Sequence, residues 1–180
     1  MRQIRVVPSA DLAPNEWHDL SRLAAAAFRE PWGPRVWEAL GPAVHVLAEQ
    51  DGRIAAHACY VERELHVGDR AMRTGYVEAV ATDPRRGRQG HGTAAMVQIG
   101  ELIREAGFEL GALSTGAHHF YERLGWERWH GPAYVRMPDG ELRRTPEEDD
   151  GIMILRTPLT PDTIDLTEPI SVPWRPGEAW

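Results

Sequence analysis

The sequence predicts a mixed α/β or α+β fold, in which a central sheet carries helices on its faces. Runs typical of strands outnumber runs typical of helices, and the helical segments fall between the strands. Residues 44–49 and 53–61 are joined by Asp51-Gly52, a pair that tolerates the positive φ angles of a tight hairpin turn. Residues 93–106 instead place apolar side chains at helical spacing.

Each element follows from a local pattern in the chain. Strands are predicted from apolar runs at residues 4–7, 44–49, 53–61, 70–82, 108–113, 133–137 and 151–155. Helices are predicted from apolar periodicity at residues 17–28, within 31–42, at 93–106 and at 117–124. Gly107 and Gly125 follow the last two helices and suit left-handed terminators. Five prolines from Pro158 onward exclude a regular helix, so residues 158–180 are expected to lie extended across the surface.

Length and composition favour one compact domain that spans residues 1–180, since 42% of the 180 residues are hydrophobic and 26% are charged. No apolar run approaches the ~20 residues of a membrane span, and the first residues lack the apolar stretch of a signal peptide. We therefore expect a cytoplasmic protein without a membrane partner. Cys59 is the single cysteine and lies in an apolar run, which predicts a buried thiol and no disulfide.

The charge distribution narrows the class of partner. The net charge is −7, and residues 139–180 carry far more acidic than basic side chains. This balance disfavours nucleic acid and favours a cationic ligand. All 20 basic residues are arginine. Because lysine is absent, Schiff-base chemistry and a P-loop nucleotide site are excluded.

A glycine-rich segment joins a predicted strand to a predicted helix. Glycines at positions 87, 90 and 92 let successive backbone N–H groups converge on an anion, and the helix dipole favours negative charge there. Arginines at positions 85, 86 and 88 add positive charge for a nucleotide's phosphates. The predicted cofactor-binding residues are Val80, Thr82, Arg85, Gly87, Arg88, Gln89, Gly90, His91, Gly92 and Thr93.

This segment resembles the pyrophosphate loop of GNAT acetyltransferases, with Gly90 and Gly92 in register. Residues 114–126, which include Phe120-Tyr121 and Gly125-Trp126, resemble a second motif of that family. The resemblance implies a GNAT fold, with a central mixed, mostly antiparallel sheet flanked by helices, and acetyl-coenzyme A as acyl donor. A Rossmann interpretation fits poorly, because the Gly-x-Gly-x-x-Gly spacing is absent.

Acetyl transfer to an amine needs a base for the ammonium proton and an acid for the leaving thiolate. Glu78 interrupts the apolar run of residues 76–81, where a carboxylate is expected to be partly desolvated, as suits a general base. Six residues separate it from Pro84, roughly 20 Å along a strand, which is comparable with an extended pantetheine arm. The resemblance implies that Tyr121 is the general acid.

Further segments along nearly the whole chain resemble the aminoglycoside 2′-N-acetyltransferases, among them residues 75–78, 110–114, 129–132 and 174–180. The resemblance implies antibiotic resistance by acetylation of a 2′-amine, with Glu78 acting through water. It also implies a homodimer and a role for the tail, residues 158–180, in the acceptor site. The implied substrate-binding residues are Glu30, Glu78, Ala79, Ser114, Asp149 and the carboxylate of Trp180.

The chain departs from these families at three places. Gly87 stands where the pyrophosphate loop usually has Gln or Arg, and Ala79 stands where glycine often follows the glutamate. Residues 28–37 contain Glu30 as their one acidic residue, where relatives tend to have aspartates, so the range of substrates is expected to differ. No metal site is predicted, because His118 and His119 are neighbours on a helix and point in different directions.

Two alternative functions stay open on the sequence. One is a GNAT enzyme for another amine, such as a metabolite or a peptide N-terminus. The other is a non-catalytic module that binds an acyl-coenzyme A or a cationic ligand. Glu78 and Tyr121 speak against the second alternative, because a binding module needs neither residue.

Overall fold

A computed structural model describes residues 2–180. The helices are α1 (Pro14–Phe28), α2 (Pro34–Leu40), α3 (His91–Glu105) and α4 (His118–Glu122), with short 3-10 turns at Ser9–Asp11, Pro84–Arg86 and Pro146–Glu148. The strands are β1 (Arg2–Pro8), β2 (Ala43–Gln50), β3 (Arg53–Val67), β4 (Arg70–Thr82), β5 (Leu110–Ser114), β6 (Glu127–Arg128), β7 (Ala133–Arg136), β8 (Leu142–Arg144), β9 (Ile152–Arg156) and β10 (Ile170–Pro173). All the strands and helices predicted from the sequence are confirmed, with shifts of a few residues at their ends.

The described chain forms two compact units, one of residues 2–61 and 77–101 and the other of residues 62–76 and 102–180. The first unit contains β1, β2, α1, α2 and the first parts of β3 and α3. The second part of β4 also belongs to this unit, and β1, β2 and β3 pair in antiparallel order β1–β2–β3. Asp51 (φ 54°) and Gly52 (φ 72°) form the predicted tight turn between β2 and β3.

The second unit holds a mixed sheet in the order β6-β9-β5-β4-β3-β10-β7-β8. Most neighbours in it are antiparallel, whereas β4 with β5 and β7 with β10 are parallel. This mixture confirms the expected mixed, mostly antiparallel sheet. The core of the unit consists of fully buried aliphatic and aromatic residues, namely Leu65, Met72, Tyr76, Ile103, Leu110, Leu113, Ile152, Met153, Ile154 and Ile170.

The structure corrects the expectation that the tail lies on the surface. Residues 170–173 form β10, which lies between β3 and β7, and Ile170 and Val172 are fully buried. The sequence did not predict this strand, because only three residues lie between Pro169 and Pro173. Three residues are too few to show the two-residue period of a strand. The region between β7 and β9 also holds a strand, β8, which was not predicted because its residues Leu142–Arg144 are exposed and mostly charged.

Glycines end two helices as predicted. Gly107 has φ 70° after α3, and Gly125 has φ 85° after α4, so both occupy the left-handed region that a terminator requires. Among the helices of residues 2–180, none combines the length and the hydropathy that a membrane crossing demands.

Candidate active site

β4 carries the proposed base in the first unit. The side chain of Glu78 is half-buried, and its Oε1 has almost no contact with water. Apolar neighbours in the strand, Val77 and Ala79, are both buried. The partly desolvated carboxylate expected from the sequence is therefore present.

Ala79, the next residue, has φ 51°. This left-handed conformation costs an alanine roughly 1–2 kcal/mol, whereas glycine adopts it freely. The preference of relatives for glycine after the glutamate thus has a backbone cause, and crowding of the acceptor is not needed to explain it. A left-handed residue inside a strand marks a local irregularity of the kind found in bulges beside active sites.

The segment between β4 and α3 is a capped, glycine-containing turn. The carboxylate of Asp83 accepts a hydrogen bond from the backbone N–H of Arg85 at 2.9 Å, which begins the 3-10 turn. Arg88 (φ 62°) and Gly90 (φ 77°) both adopt left-handed conformations before α3 begins at His91. Alternating backbone conformations of this kind turn successive N–H groups toward one concavity, which suits an anion.

The side chains around this turn also fit a diphosphate. Residues 87–90 are exposed, so their backbone is accessible. His91 is buried at the start of α3, and neither of its ring nitrogens has a hydrogen-bond partner among the described residues. Burial, followed by the charges of Arg2 and Arg86, lowers the pKa of His91. A neutral ring with an unused N–H at a helix N-terminus is suited to donate to a phosphate oxygen.

Arginines line a cavity of about 880 Å³ beside the same turn. Its lining includes two aspartates and four arginines, and the arginines are Arg22, Arg53, Arg85 and Arg86. The Arg86 guanidinium is held by the Gln50 carbonyl at 3.4 Å, whereas the side chain of Arg85 is 86% exposed. The surface next to the glycine turn is therefore basic, as the predicted phosphate site requires.

Tyr121 lies on α4 in the second unit and is buried. Burial raises the pKa of its phenol to about 12, although a hydrogen bond with Thr115 acts in the opposite direction. The rings of Phe120 and Trp126 pack against Tyr121 at centroid distances of 4.9 and 6.2 Å. The phenol is consequently protonated and held in place at neutral pH.

Ser114 ends β5 in the same unit and is exposed. Its hydroxyl donates a hydrogen bond to Oε2 of Glu148 at 2.8 Å. The sequence analysis missed Glu148 as a partner of Ser114, although the residue lies in the acidic run of residues 147–150. Only the fold of that run into a 3-10 turn shows which of its four carboxylates meets Ser114.

Asp149 is bound within the protein itself. Both of its oxygens accept hydrogen bonds from the guanidinium of Arg144, and Oδ1 also accepts from the backbone N–H of Ala133 at 2.9 Å. The hydrogen bond with Arg144 is the main reason that the pKa of Asp149 is lowered. Asp149 is ionised, but a large part of its charge is already compensated, so Glu148 is the freer carboxylate of the pair.

The end of the tail is anchored to the second unit. The indole N–H of Trp180 donates to the Thr145 hydroxyl at 3.1 Å, and the side chain is buried. The buried guanidinium of Arg63 donates to the carbonyls of Ala179 and of Pro173, the latter at 2.7 Å. Trp180 is thus held at a defined place, beside the turn that carries Glu148 and Asp149.

Glu30 is exposed in the loop after α1 of the first unit. The same region contains a cavity of about 1050 Å³ whose apolar walls include Trp17, Trp32 and Trp37. This cavity was not predicted from the sequence. The indole of Trp37 contacts that of Trp17 in a tilted arrangement at a centroid distance of 5.4 Å and that of Trp32 edge to face at 5.6 Å. These three tryptophans form one wall of the cavity.

A second missed feature is a buried cluster of His45, His57 and Cys59 in the first unit. Their potential ligand atoms all lie within 4.8 Å of one another. From the sequence, only the adjacent His118 and His119 were considered as metal ligands. The residues of the cluster meet only through the register of β2 with β3, which the sequence does not show. In that register His45 stands opposite Cys59.

Comparison with known proteins agrees with this geometry. A family described as "Acetyltransferase (GNAT) domain" matches residues 10–129. The chain is 36% identical over 179 residues to an aminoglycoside 2′-N-acetyltransferase of Mycolicibacterium fortuitum, covering 98% of this chain and 91% of that protein. A GNAT family N-acetyltransferase of Escherichia coli (YhbS), crystallised with CoA, matches with a TM-score of 0.66 and 18% identity, over 95% of this chain and 89% of that one.

Some matched structures are much longer than this protein. A GCN5-related N-acetyltransferase from Kribbella flavida matches with a TM-score of 0.58 and 20% identity over 73% of this chain, and the matched part spans about a third (34%) of that protein. These structural matches concern the fold alone, whereas the family match and the relative from Mycolicibacterium fortuitum bear on the sequence itself. The chain belongs to the GNAT family of acetyltransferases.

Proposed function

We propose that this protein transfers the acetyl group of acetyl-coenzyme A to the 2′-amino group of an aminoglycoside, and that this reaction confers antibiotic resistance. The observation that carries the proposal is the 36% identity to an aminoglycoside 2′-N-acetyltransferase over 98% of the chain. The acidic balance of residues 139–180 supports it independently, because an aminoglycoside carries several ammonium groups. A homodimer and a cytoplasmic location stay predictions.

The turn before α3 would hold the donor by its diphosphate. The exposed backbone N–H groups of residues 87–90, the ring of His91 and the nearby arginines supply the hydrogen bonds and positive charge. When bound, acetyl-coenzyme A supplies an acyl group activated as a thioester. The predicted residues Val80, Thr82, Gln89, Gly92 and Thr93 lie on either side of this turn and would contact the donor.

Glu78 would accept the proton that the acceptor's ammonium must lose before its nitrogen can attack. A carboxylate with one oxygen shielded from water is suited to this task, because bulk water does not compete for that oxygen. Relay through a water molecule, as the family resemblance implies, would let the base act without contacting the amine. Its main-chain position at the irregularity of β4 fixes where the carboxylate can reach.

Tyr121 would hold a proton at its Oη for the leaving sulfur. Since burial raises the pKa of the phenol to about 12, the proton is present throughout the neutral range. A thiol has an ordinary pKa of about 8.5, so full transfer from the phenol is uphill. Tyr121 therefore stabilises the sulfur mainly by donating a hydrogen bond, which takes on proton-transfer character only as the carbon–sulfur bond breaks.

Charged groups of the second unit would bind the acceptor. Ser114 and Glu148 form one hydrogen-bonded pair, and Asp149 with Arg144 forms another. Trp180 is fixed beside them through Thr145. We include Glu148 among the acceptor-binding residues, because its carboxylate carries less compensation than that of Asp149. Glu30, in the first unit, stays a predicted acceptor-binding residue.

The test compares two aminoglycosides that differ only in an amino or a hydroxyl group at the 2′ carbon. Purified protein is mixed with acetyl-coenzyme A and each sugar, and free thiol release is followed. Release with the 2′-amino sugar alone, with one acetyl group located on that nitrogen by NMR, is the expected result. Equal release with both sugars would refute 2′ selectivity, and binding without release would leave a non-catalytic module as the function.

A second candidate is acetylation of an amine that carries an apolar group. The cavity walled by Trp17, Trp32 and Trp37 favours it, because apolar walls of this kind gain little from a polyhydroxylated cation. The same assay separates the two candidates when arylalkyl amines are added to the panel. Faster release with these amines than with any aminoglycoside would favour the second candidate.

A further inference from the structure

Two side chains of β3 bind the main chain of β4 at the position of the proposed base. The Nδ1 of His57 lies 2.8 Å from the Ala79 carbonyl, and the thiol of Cys59 donates to the Glu78 carbonyl at 3.5 Å. Successive carbonyls of a regular strand point in opposite directions. Here the carbonyls of Glu78 and Ala79 both meet side chains on the same face of β3, two residues apart. The left-handed backbone of Ala79 makes this possible.

The direction of each hydrogen bond follows from the acceptors. A carbonyl oxygen only accepts, so the Nδ1 of His57 carries the proton. In the neutral ring the Nε2 of His57 must then accept, and it does so from the Nδ1 of His45 at 2.9 Å. In this tautomer the Nε2 of His45 can only accept, and the Ser9 hydroxyl lies 2.9 Å from it and 3.1 Å from the Ala43 carbonyl, so Ser9 has one proton for two acceptors. The directed part of the chain runs from His45 to His57 to the Ala79 carbonyl, with Ser9 at its start.

The surroundings keep both rings neutral and in place. His45 and His57 are each 1% exposed. Burial lowers the pKa of His45 to about 4 and that of His57 to about 3. The edge of Trp17 packs on His45 at 5.3 Å, and the ring of Trp37 stands nearly perpendicular to His57 at 5.6 Å. The rings therefore have no freedom to flip or to take up a proton at neutral pH.

We propose that His45 and His57 are positioning residues for the acyl donor, which fix the peptide between Ala79 and Val80 through this chain of hydrogen bonds. No cis peptide occurs in the described chain, so the N–H of Val80 points away from the Ala79 carbonyl and hence away from His57. That N–H therefore lies on the side of β4 that faces away from β3, two residues after Glu78. The inference rests on the proposed function, in which Val80 contacts acetyl-coenzyme A.

A metal site in the same cluster is the competing interpretation. His45, His57 and Cys59 could supply three ligands. However, every ring nitrogen of the two histidines already takes part in a hydrogen bond. An ion held by His45 Nδ1, His57 Nε2 and the Cys59 sulfur would replace the hydrogen bond between the two rings and the thiol's bond to the Glu78 carbonyl, while His57 Nδ1 stayed on the Ala79 carbonyl. The 2.9 Å between the two facing nitrogens is a hydrogen-bond distance, so the geometry favours the hydrogen-bonded chain.

The protonation pattern is tested first, without any substrate. Protein labelled with ¹⁵N-histidine is expected to show, at neutral pH, two residues that carry a single proton on Nδ1, assigned by comparison with His45→Gln and His57→Gln. A single proton on Nε2 of His57, or a charged ring, would overturn the proposal. So would loss of the Nδ1 proton of His45 when Zn²⁺ alone is added. Because no acyl transfer is measured, this result does not depend on the identity of the acceptor.

The positioning role is tested with matched variants at position 57. His57→Leu removes the donor, whereas the side-chain nitrogen of His57→Asn can replace Nδ1. For His57→Leu we expect a Kd for acetyl-coenzyme A and a kcat that are each worse by about tenfold or more, as small misplacements near a reacting centre produce. His57→Asn should recover most of both losses, and the ¹⁵N shift of the Val80 amide should move only in His57→Leu.

Val46→Ala controls for loss of stability alone, because Val46 is fully buried on β2 but takes no part in the chain of hydrogen bonds. It should lower the Tm with Kd and kcat retained. If His57→Leu does not fold, Ser9→Ala removes the first donor from a half-buried position and should change Kd in the same direction. Unchanged constants in the folded variants, or equal losses in Val46→Ala, would refute the positioning role.

Discussion

Gly87 and Gly90 occupy the same turn before α3, but their backbones make different demands. Gly90 has φ 77°, and a Cβ built on it would lie 3.3 Å from the Arg2 guanidinium. Gly87 has φ −58°, which any residue adopts, and a Cβ there would meet only the Pro84 carbonyl at 3.6 Å. Position 87 can therefore accept the glutamine or arginine that stands there in the resembling family.

We predict that Gly87→Gln tightens binding of acetyl-coenzyme A by about tenfold, since one hydrogen bond to a charged group contributes roughly 1.4 kcal/mol. Calorimetry at two salt concentrations measures the effect. Gly87→Arg should gain more at low salt than at high salt, because part of its effect is long-range charge. Gly90→Ala is the matched control and should weaken binding; a weaker Kd in Gly87→Gln would show that the arginines already saturate the site.

Glu78→Gln tests the base with almost no change in shape. We expect kcat to fall by about 10²–10⁴-fold, the usual contribution of a general base, with the Kd of acetyl-coenzyme A within about twofold of the original. Stopped assays and calorimetry measure the two constants. Glu105→Gln, at the exposed end of α3, removes the same charge elsewhere. Equal turnover in the two variants would remove Glu78 from the mechanism.

At the scale of the element, β4 stores strain beside the proposed base. Ala79→Gly should relieve the left-handed strain of roughly 1–2 kcal/mol. It should also lower the free energy of unfolding by about 0.5–1 kcal/mol, because glycine has more conformational entropy in the unfolded chain. We therefore expect the free energy of unfolding to rise slightly, by about 0.5 kcal/mol. Ala81→Gly on the same strand lacks the positive φ and should lower it by about 1 kcal/mol. Urea denaturation measures both, and equal losses would contradict strain at position 79.

The pairing of β2 with β3 makes stability depend on pH. His45 and His57 titrate at 6.5 when unfolded but only at about 4 and about 3 when buried. Between these pH values the unfolded chain binds more protons than the folded chain. The stability that the two neutral histidines contribute is therefore fully present above pH 6.5 and is lost as the pH falls toward their folded pKa values. Each histidine contributes up to about 1.4 kcal/mol per pH unit.

Denaturation of the protein and of His57→Leu from pH 7 to pH 4 measures this contribution. The free energy of unfolding should depend on pH less steeply in His57→Leu than in the unsubstituted protein, by about 1.4 kcal/mol per pH unit. Val46→Ala should keep the full pH dependence. An unchanged slope in His57→Leu would mean that the ring is charged in the folded state.

At the scale of the whole molecule, the tail reaches its place through the sheet. β10 lies between β3 and β7, and Arg63 and Thr145 then hold the residues that follow it. The position of Trp180 is therefore set by long-range pairing. The expected single domain and the role of the tail in the acceptor site stay predictions at this scale.

Deleting Trp180 should raise the KM for the acceptor by about tenfold, the usual effect of losing one charged contact, with the Kd of acetyl-coenzyme A retained. Trp180→Phe keeps the main chain and most of the buried ring but loses the hydrogen bond to Thr145. It should raise the KM by a smaller factor. Steady-state kinetics with varied acceptor measures both, and a KM unaffected by the deletion would sink the proposed role of the tail.

Local patterns in the sequence determined the four helices and seven of the ten strands, the Asp51-Gly52 turn, the glycine-rich segment and Glu78 on an apolar strand. Each depends on residues within a few positions of one another, so one turn or one period suffices to show it. Relations over long separations needed the tertiary structure. His45, His57 and Ala79 meet across three strands, Ser114 meets Glu148 over 34 positions, and β10 inserts between strands far earlier in the chain. Such contacts follow from strand register and packing of the whole chain, and a single sequence carries no local signal for them.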